Sequence, residues 1–223
     1  MAPILHPSPN FGPRRGGARP SLVVIHYTGM ASAAAALARL CDPGPEVSAH
    51  YLIAETGQVF ALVTEEMRAW HAGAGSWAGL SDVNSHSIGI ELANSGSEPF
   101  PHPQMLALEE LLGVILTRWS IPPHRVIGHS DMAPGRKIDP GPRFDWRRLA
   151  LAGLSVWPDT RPIQSLEPNS FAASASVFGY PLVSEDILLA AVRRRFRPWA
   201  TGPLEQEDIR VILSLKQQCG KGL

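Results

Sequence analysis

Three short apolar runs that end on, or carry, one chemically active side chain constrain this sequence most. Leu22 to Ile25 closes on His26 before Thr28-Gly29, Val126 to Gly128 closes on His129, and Ile88 to Leu92 carries Glu91 within it. Brief apolar runs rich in Val and Ile, bounded by Gly and polar residues, read as strands buried in a sheet. Helical patterns lie between them. Ala31 to Leu40 has high helix propensity and stops before Asp42-Pro43-Gly44. Pro103 to Trp119 is a longer helix with Leu108, Leu111, Leu112 and Ile115 on one stripe, terminated by Pro122-Pro123. Val47 to Val63 reads as a hairpin turning at Glu55-Thr56-Gly57. Strands and helices alternate without strict βαβ order, so the expected class is α/β, a mixed central β-sheet flanked by helices. The body is placed at 21–154. Residues 1–20, rich in Pro, Gly and Arg, read as an irregular arm.

The composition shifts after Leu154. Residues 155–169 are Pro-rich and polar and read as a linker. Helical segments at Ser170 to Phe178, Ser184 to Arg195 and Pro203 to Lys216 give a small three-helix domain over 170–223. The Arg193-Arg194-Arg195 run reads as a solvated helix face. The 223 residues hold 20 Lys+Arg and 20 Asp+Glu. Residues 1–150 carry 12 basic and 13 acidic side chains and residues 151–223 carry 8 and 7, and no basic stripe carries interleaved aromatics, which argues against a nucleic-acid binder. No stretch approaches the roughly 20 apolar residues of a membrane helix. The first residues lack the apolar core of a secretory signal, so the cytoplasm is the expected compartment, with the periplasm the alternative if an export signal was removed. Cys41 and Cys219 read as free thiols. The oligomeric state stays open.

Two neutral imidazoles and a carboxylate are a recurring zinc set that leaves a fourth position open. His26 and His129 sit at strand ends, and Asp139 follows in a loop stiffened by Pro and Gly. Each alone is more often structural. Lys137 lies two residues before Asp139, so in an extended segment both face one site. A cation beside a metal ligand is costly unless it serves an anion or a developing oxyanion; the plainer alternative is a surface contact. Glu91 interrupts an apolar strand. It is either a general base or a carboxylate facing solvent, and periodicity leaves the two even. His71, in Trp70-His71-Ala72-Gly73, suits the wall of a sugar or peptide groove. His50 reads as a hydrogen-bonded structural residue.

These residues lie in blocks whose order resembles a known family, the zinc-dependent N-acetylmuramoyl-L-alanine amidases of type 2, which includes phage lysozyme-type amidases and peptidoglycan recognition proteins. The blocks are VIHYTG, SAHYLI, AWHAG, NSHSIGIEL and GHSDMAPGRKIDPGPRFDW, spanning about Ser21 to Trp146. The resemblance implies one Zn2+ per chain, held by His26, His129 and Asp139. It implies Glu91 as acid/base, Lys137 as the oxyanion partner, and His71 and Asn84, with Trp70 and Ala72, as substrate contacts. Some members carry a tyrosine where this chain has Ala49, which is similar to the branch relying on the strand glutamate. The implied reaction is hydrolysis of the amide between N-acetylmuramic acid, or its 1,6-anhydro form, and L-alanine. The implied partners are peptidoglycan or muropeptide fragments. The alternative is a non-catalytic sensor on the same fold, but such sensors typically lose a metal ligand. The tail resembles a three-helix peptidoglycan-binding domain through FGYPL and AVRRRFRP, although TGPLEQEDIR lacks the usual Asp-Gly turn. Exported relatives are lipoproteins, and no lipid-attachment cysteine lies near the start of this sequence.

Overall fold

Parallel pairing at the centre of one sheet organises the chain. The computed structural model describes residues 2–159 and 170–219. Strands β1 (Ile4–Leu5) and β2 (Phe11–Pro13) precede β3 (Leu22–Tyr27), helix α1 (Ala33–Cys41), β4 (Tyr51–Ile53), β5 (Val59–Ala61) and β6 (Met67–Ala69). A single helical turn, α2 (Val83–His86), leads into β7 (Ser87–Leu92), α3 (His102–Trp119), β8 (Val126–Gly128) and another short turn, α4 (His129–Met132). The remainder is α5 (Trp146–Leu151), α6 (Ser170–Phe178), α7 (Glu185–Phe196) and α8 (Gln206–Cys219). The main sheet has the order β1-β5-β4-β7-β3-β8, and β2 pairs with β6 in a second, two-stranded sheet. Strand β3 runs parallel to β7 and β8, β4 runs parallel to β7, and β4–β5 is the expected antiparallel hairpin. The fold is therefore mixed α/β, with helices against the sheet.

Side-chain alternation sends each strand's residues to two different cores. Val23, Ile25, Ile88, Ile90 and Leu92 pack with Met105, Leu108, Leu112 and Ile115 of α3 on one face. On the other face, Leu22, Val24 and Ile127 join Trp77 and Met132 in a cluster that continues into Phe171, Phe178, Tyr180, Leu188, Val192, Phe196 and Ile212. A smaller group, Ala36, Leu40 and Leu52, seats α1 on the same side. The stretch of that face between the two groups holds His26 and Glu91, paired in register across β3 and β7 near their C-terminal ends. In open α/β sheets that is where ligands bind.

Two expectations are corrected. The arm at 1–20 is not irregular: Ile4–Leu5 extends the main sheet beside β5, and Phe11–Pro13 pairs with Met67–Ala69. Strands of two or three residues are too short to show a period in the sequence. The arm also delivers Arg14, whose guanidinium donates to the carbonyls of Glu65, Asn84, Ser85 and Ser87. The Arg193-Arg194-Arg195 run is not a solvated face. Arg193 and Arg195 are buried, with Arg193 paired to Asp208 at 2.6 Å and Arg195 to Asp131 at 2.6 Å. Composition alone does not reveal a carboxylate partner brought in from elsewhere in the chain. The three tail helices fall near the expected positions, while most of the expected linker lies outside the described residues. Among the described residues, no helix is long and apolar enough to cross a membrane.

Candidate metal centre

Strand and loop geometry bring His26, His129 and Asp139 to one point. His26 comes from the end of β3, and His129 opens the turn that follows β8. Asp139 returns on a loop tied to that turn by the Ser130 N–H, which donates to the Asp139 carbonyl at 2.9 Å. The two Nδ1 atoms lie 2.9 Å apart, and Asp139 Oδ2 lies 2.9 Å from His26 Nδ1 and 3.0 Å from His129 Nδ1. All three residues are buried.

Hydrogen-bond partners fix where the imidazole protons sit. His129 Nε2 faces the Ala72 carbonyl at 2.8 Å, and a carbonyl only accepts, so Nε2 carries the proton and Nδ1 is bare. The Ser87 hydroxyl donates to the Val83 carbonyl at 2.6 Å, so its oxygen accepts from His71 Nε2 at 3.2 Å. His71 Nδ1 is then bare and accepts from His26 Nε2 at 3.0 Å, which leaves His26 Nδ1 bare as well. Three lone-pair atoms therefore face one another at contact distance with no proton among them. A cation resolves that arrangement, and partners on the far ring nitrogens are the usual means of orienting metal-binding imidazoles.

The charge states agree. Burial, reinforced by His129, pulls the His26 imidazole down to about 4, so it is neutral at physiological pH. Burial, with His26 and His50 adding to it, holds His71 well below its ordinary value. Burial alone would raise the Asp139 carboxyl, but the closeness of the His129 and His26 imidazoles outweighs it and holds the group well below the usual carboxylate range. Glu91 moves the other way: burial, with the Asp139 charge adding, pushes its carboxyl up to about 8. Its Oε2 is closed to solvent and has no hydrogen-bond partner among the described residues. Glu91 thus faces the site rather than bulk water.

His26, Glu91, Lys137 and Asp139 line one hollow of about 470 Å³, so Lys137 and Asp139 do share a site. Among the described residues no ion pair joins Lys137 to Asp139. An adjoining hollow of about 440 Å³ is lined by Ala72 and Asn84, with Trp70, His71, His129, Arg136 and Lys137 on the shared wall. Asn84 Oδ1 accepts from the His71 and Ala72 amides at 3.0 and 2.8 Å, so it holds the loop that bears them. His50 is buried, and its Nδ1 accepts from the Gly89 amide at 2.9 Å. Nothing in the sequence alone points to a role for Ser87, Arg14 or Asp131. Asp131 lies in the GHSDM block, but nothing local to that block shows what binds it.

Gly89 is required by contact, not by backbone freedom. A Cβ there would lie 2.4 Å from the His71 ring. Gly89→Ala is expected to displace His71 and destabilise the fold by roughly 1–3 kcal/mol. Chemical denaturation measures this, and an unchanged midpoint would mean that His71 is free to move aside.

A mixed sheet presenting two imidazoles at its strand ends, beside a loop carboxylate and a second carboxyl of raised proton affinity, defines a protein that can hold a divalent cation next to an acid–base group. Comparison with known proteins makes this specific. Residues 16–142 match the family described as N-acetylmuramoyl-L-alanine amidase, and the chain belongs to it. It is 39% identical over 161 residues to the Escherichia coli N-acetylmuramoyl-L-alanine amidase AmiD, covering 65% of this chain and 57% of that one. It is 45% identical over 103 residues to the Haemophilus influenzae 1,6-anhydro-N-acetylmuramyl-L-alanine amidase AmpD, covering 46% and 56%. The chain thus spans less than two thirds of the length of these two relatives. Among solved structures it resembles E. coli AmiD in complex with anhydro-N-acetylmuramic acid-L-Ala-D-γ-Glu-L-Lys, with TM-score 0.82, 30% identity, and 95% and 98% of the two chains covered. It also resembles AmpDh3 from Pseudomonas aeruginosa in complex with anhydromuramic pentapeptide, with TM-score 0.81, 32% identity, and 92% and 94% covered.

Proposed function

We infer that this chain is a zinc-dependent amidase that cleaves the amide between N-acetylmuramic acid, or its 1,6-anhydro form, and the L-alanine of a stem peptide, in peptidoglycan turnover or recycling. The observation that carries the reading is the triad of bare lone pairs on His26 Nδ1, His129 Nδ1 and Asp139 Oδ2 beside the raised carboxyl of Glu91. Family membership and the muropeptide complexes of two similar structures support the substrate class.

Zinc, when bound, supplies a Lewis acid and makes water acidic enough to ionise near neutral pH. The residues of the chain do the rest. Glu91 accepts the proton of the attacking water and returns it to the alanine nitrogen as the C–N bond breaks. A carboxyl whose affinity for protons is raised toward 8 suits both halves of that transfer. Lys137 places a compact positive charge beside the oxygen that becomes negative. His71 and Ala72 keep the two ligand imidazoles in the required tautomers. Trp70 and Asn84 lie where the adjoining hollow takes the rest of the substrate.

The test uses the purified full chain. Metal analysis is expected to find one zinc per chain, and chromatography to show release of tripeptide from both muramyl-tripeptide and its anhydro form. Chelation and His129→Ala should each abolish both. Turnover that survives complete removal of metal would refute the proposal.

A further inference from the structure

The strongest unexplained feature lies behind the ligand-bearing turn. Asp131 sits two residues after His129 in α4 and is fully buried. Its Oδ2 accepts from the Gly128 amide at 2.8 Å, fixing the residue that precedes His129. Its other partners both come from the C-terminal helical segment. Tyr180, just past α6, donates its hydroxyl to Oδ1 at 2.8 Å, and Arg195 of α7 donates Nη1 to Oδ2 at 2.6 Å. The Arg195 guanidinium also donates to the Val126 carbonyl of β8 at 3.0 Å and lies 4.1 Å above the Trp146 ring. One buried cation from α7 thus touches both the strand that leads into His129 and the carboxylate that follows it.

The same segment braces the loop carrying the other partners of the ligands. The Ala78 amide donates to the Gly179 carbonyl at 2.8 Å, and the Ser76 amide donates to the Met132 carbonyl at 2.9 Å. A Cβ on Gly179 would lie 2.5 Å from Trp77, so the approach is as close as glycine permits. Gly135, in the loop between α4 and Lys137, lies so close to Ile187 of α7 that a Cβ there would meet it at 3.1 Å.

We propose that Arg195 and Tyr180 are positioning residues, which act through Asp131 to hold the His129 turn in the geometry that binds metal. The C-terminal helices are then part of the metal site's support, whatever else they bind. This rests on the metal-centre reading above. Buried ion pairs often contribute little to net stability but fix one arrangement among several. Outer partners of metal ligands are worth about 10–100-fold in metal affinity.

The test compares Tyr180→Phe and Arg195→Met with Arg193→Met. The last breaks a buried ion pair on the same helix, with Asp208, that does not reach the turn. Zinc affinity of each folded protein is measured by competition with a chromophoric chelator, alongside its melting temperature. Tyr180→Phe and Arg195→Met are expected to weaken zinc binding about 10–100-fold, with Arg193→Met leaving it within twofold of wild type. Equal weakening in all three, or unchanged affinity in Tyr180→Phe and Arg195→Met, would overturn the proposal. Tyr180→Phe keeps the ring contacts with Trp77 and Phe178, so it decides the matter should Arg195→Met not fold. A wild-type chain that takes up no zinc defeats the metal-centre reading itself. The positioning role is then judged from the imidazole ¹⁵N shifts of His129. These should report a protonated Nε2 in wild type and Arg193→Met and mixed tautomers in Tyr180→Phe; an unmixed tautomer there overturns it.

Discussion

Glu91→Gln should yield a protein that is nearly inactive and yet more stable than its parent. General acid–base groups typically contribute about 10²–10⁴ in rate, and turnover of muramyl-tripeptide should fall by that factor with zinc content unchanged. The stability gain has a separate origin. Burial and the Asp139 charge raise the carboxyl from 4.5 to about 8, so between those values the native chain holds a proton that the unfolded chain has released. Stability therefore falls as pH rises through that window and levels off above it, where the group's full penalty is in place. The free-energy equivalent of the shift is on the order of 3–5 kcal/mol. Gln is nearly isosteric and does not ionise, so it avoids the loss. In metal-free protein the two melting temperatures should be close at pH 4, separate progressively toward pH 8, and run parallel beyond. A constant difference across that range would mean that Glu91 titrates alike in the folded and the unfolded chain.

Much of the site could be read from the sequence because its chemistry is written in residue types at strand ends. His26 and His129 are two such positions, Asp139 lies on the Pro/Gly-stiffened loop that returns beside them, and the fold brings the three within hydrogen-bond distance. Glu91 could not be decided, since alternation says that a side chain leaves the apolar face but not what it meets there. The structure shows Oε2 closed to solvent and without a partner among the described residues. The long helices were legible because α3 carries a full apolar stripe and Pro122-Pro123 ends it. What stayed hidden depends on partners distant in sequence. Arg195 looks like one of three solvated arginines until Asp131 meets it, and Arg14 looks like part of a loose arm until four backbone carbonyls converge on it. Ser87 is an ordinary strand residue until its hydroxyl is seen to set the tautomer of His71 and, through it, of His26.

The core beneath the C-terminal helices leads to the second large effect: a chain ending at Leu154 should not fold. Leu22, Val24, Ile127, Trp77 and Met132 are all almost fully buried, and they share one cluster with α6, α7 and α8. Stripping that cover returns several large apolar side chains to water at roughly 1.5–3 kcal/mol each. It also removes Arg195 and Tyr180 and leaves the buried Asp131 carboxylate without either, at about 3–5 kcal/mol. Together these are as large as the roughly 5–15 kcal/mol that a domain has to lose. The truncated chain is expected to bind a hydrophobic dye, to melt without a cooperative transition and to lose slow amide exchange in β3 and β8. A monomer that melts cooperatively within a few degrees of the full chain would show that the exposed face closes on itself. Residues 155–223 would then be dispensable for the fold, and the clamp on Asp131 would be a refinement of the site. The outcome expected here makes those helices a structural requirement, since the face they cover backs the same strands that end in the metal-centre residues.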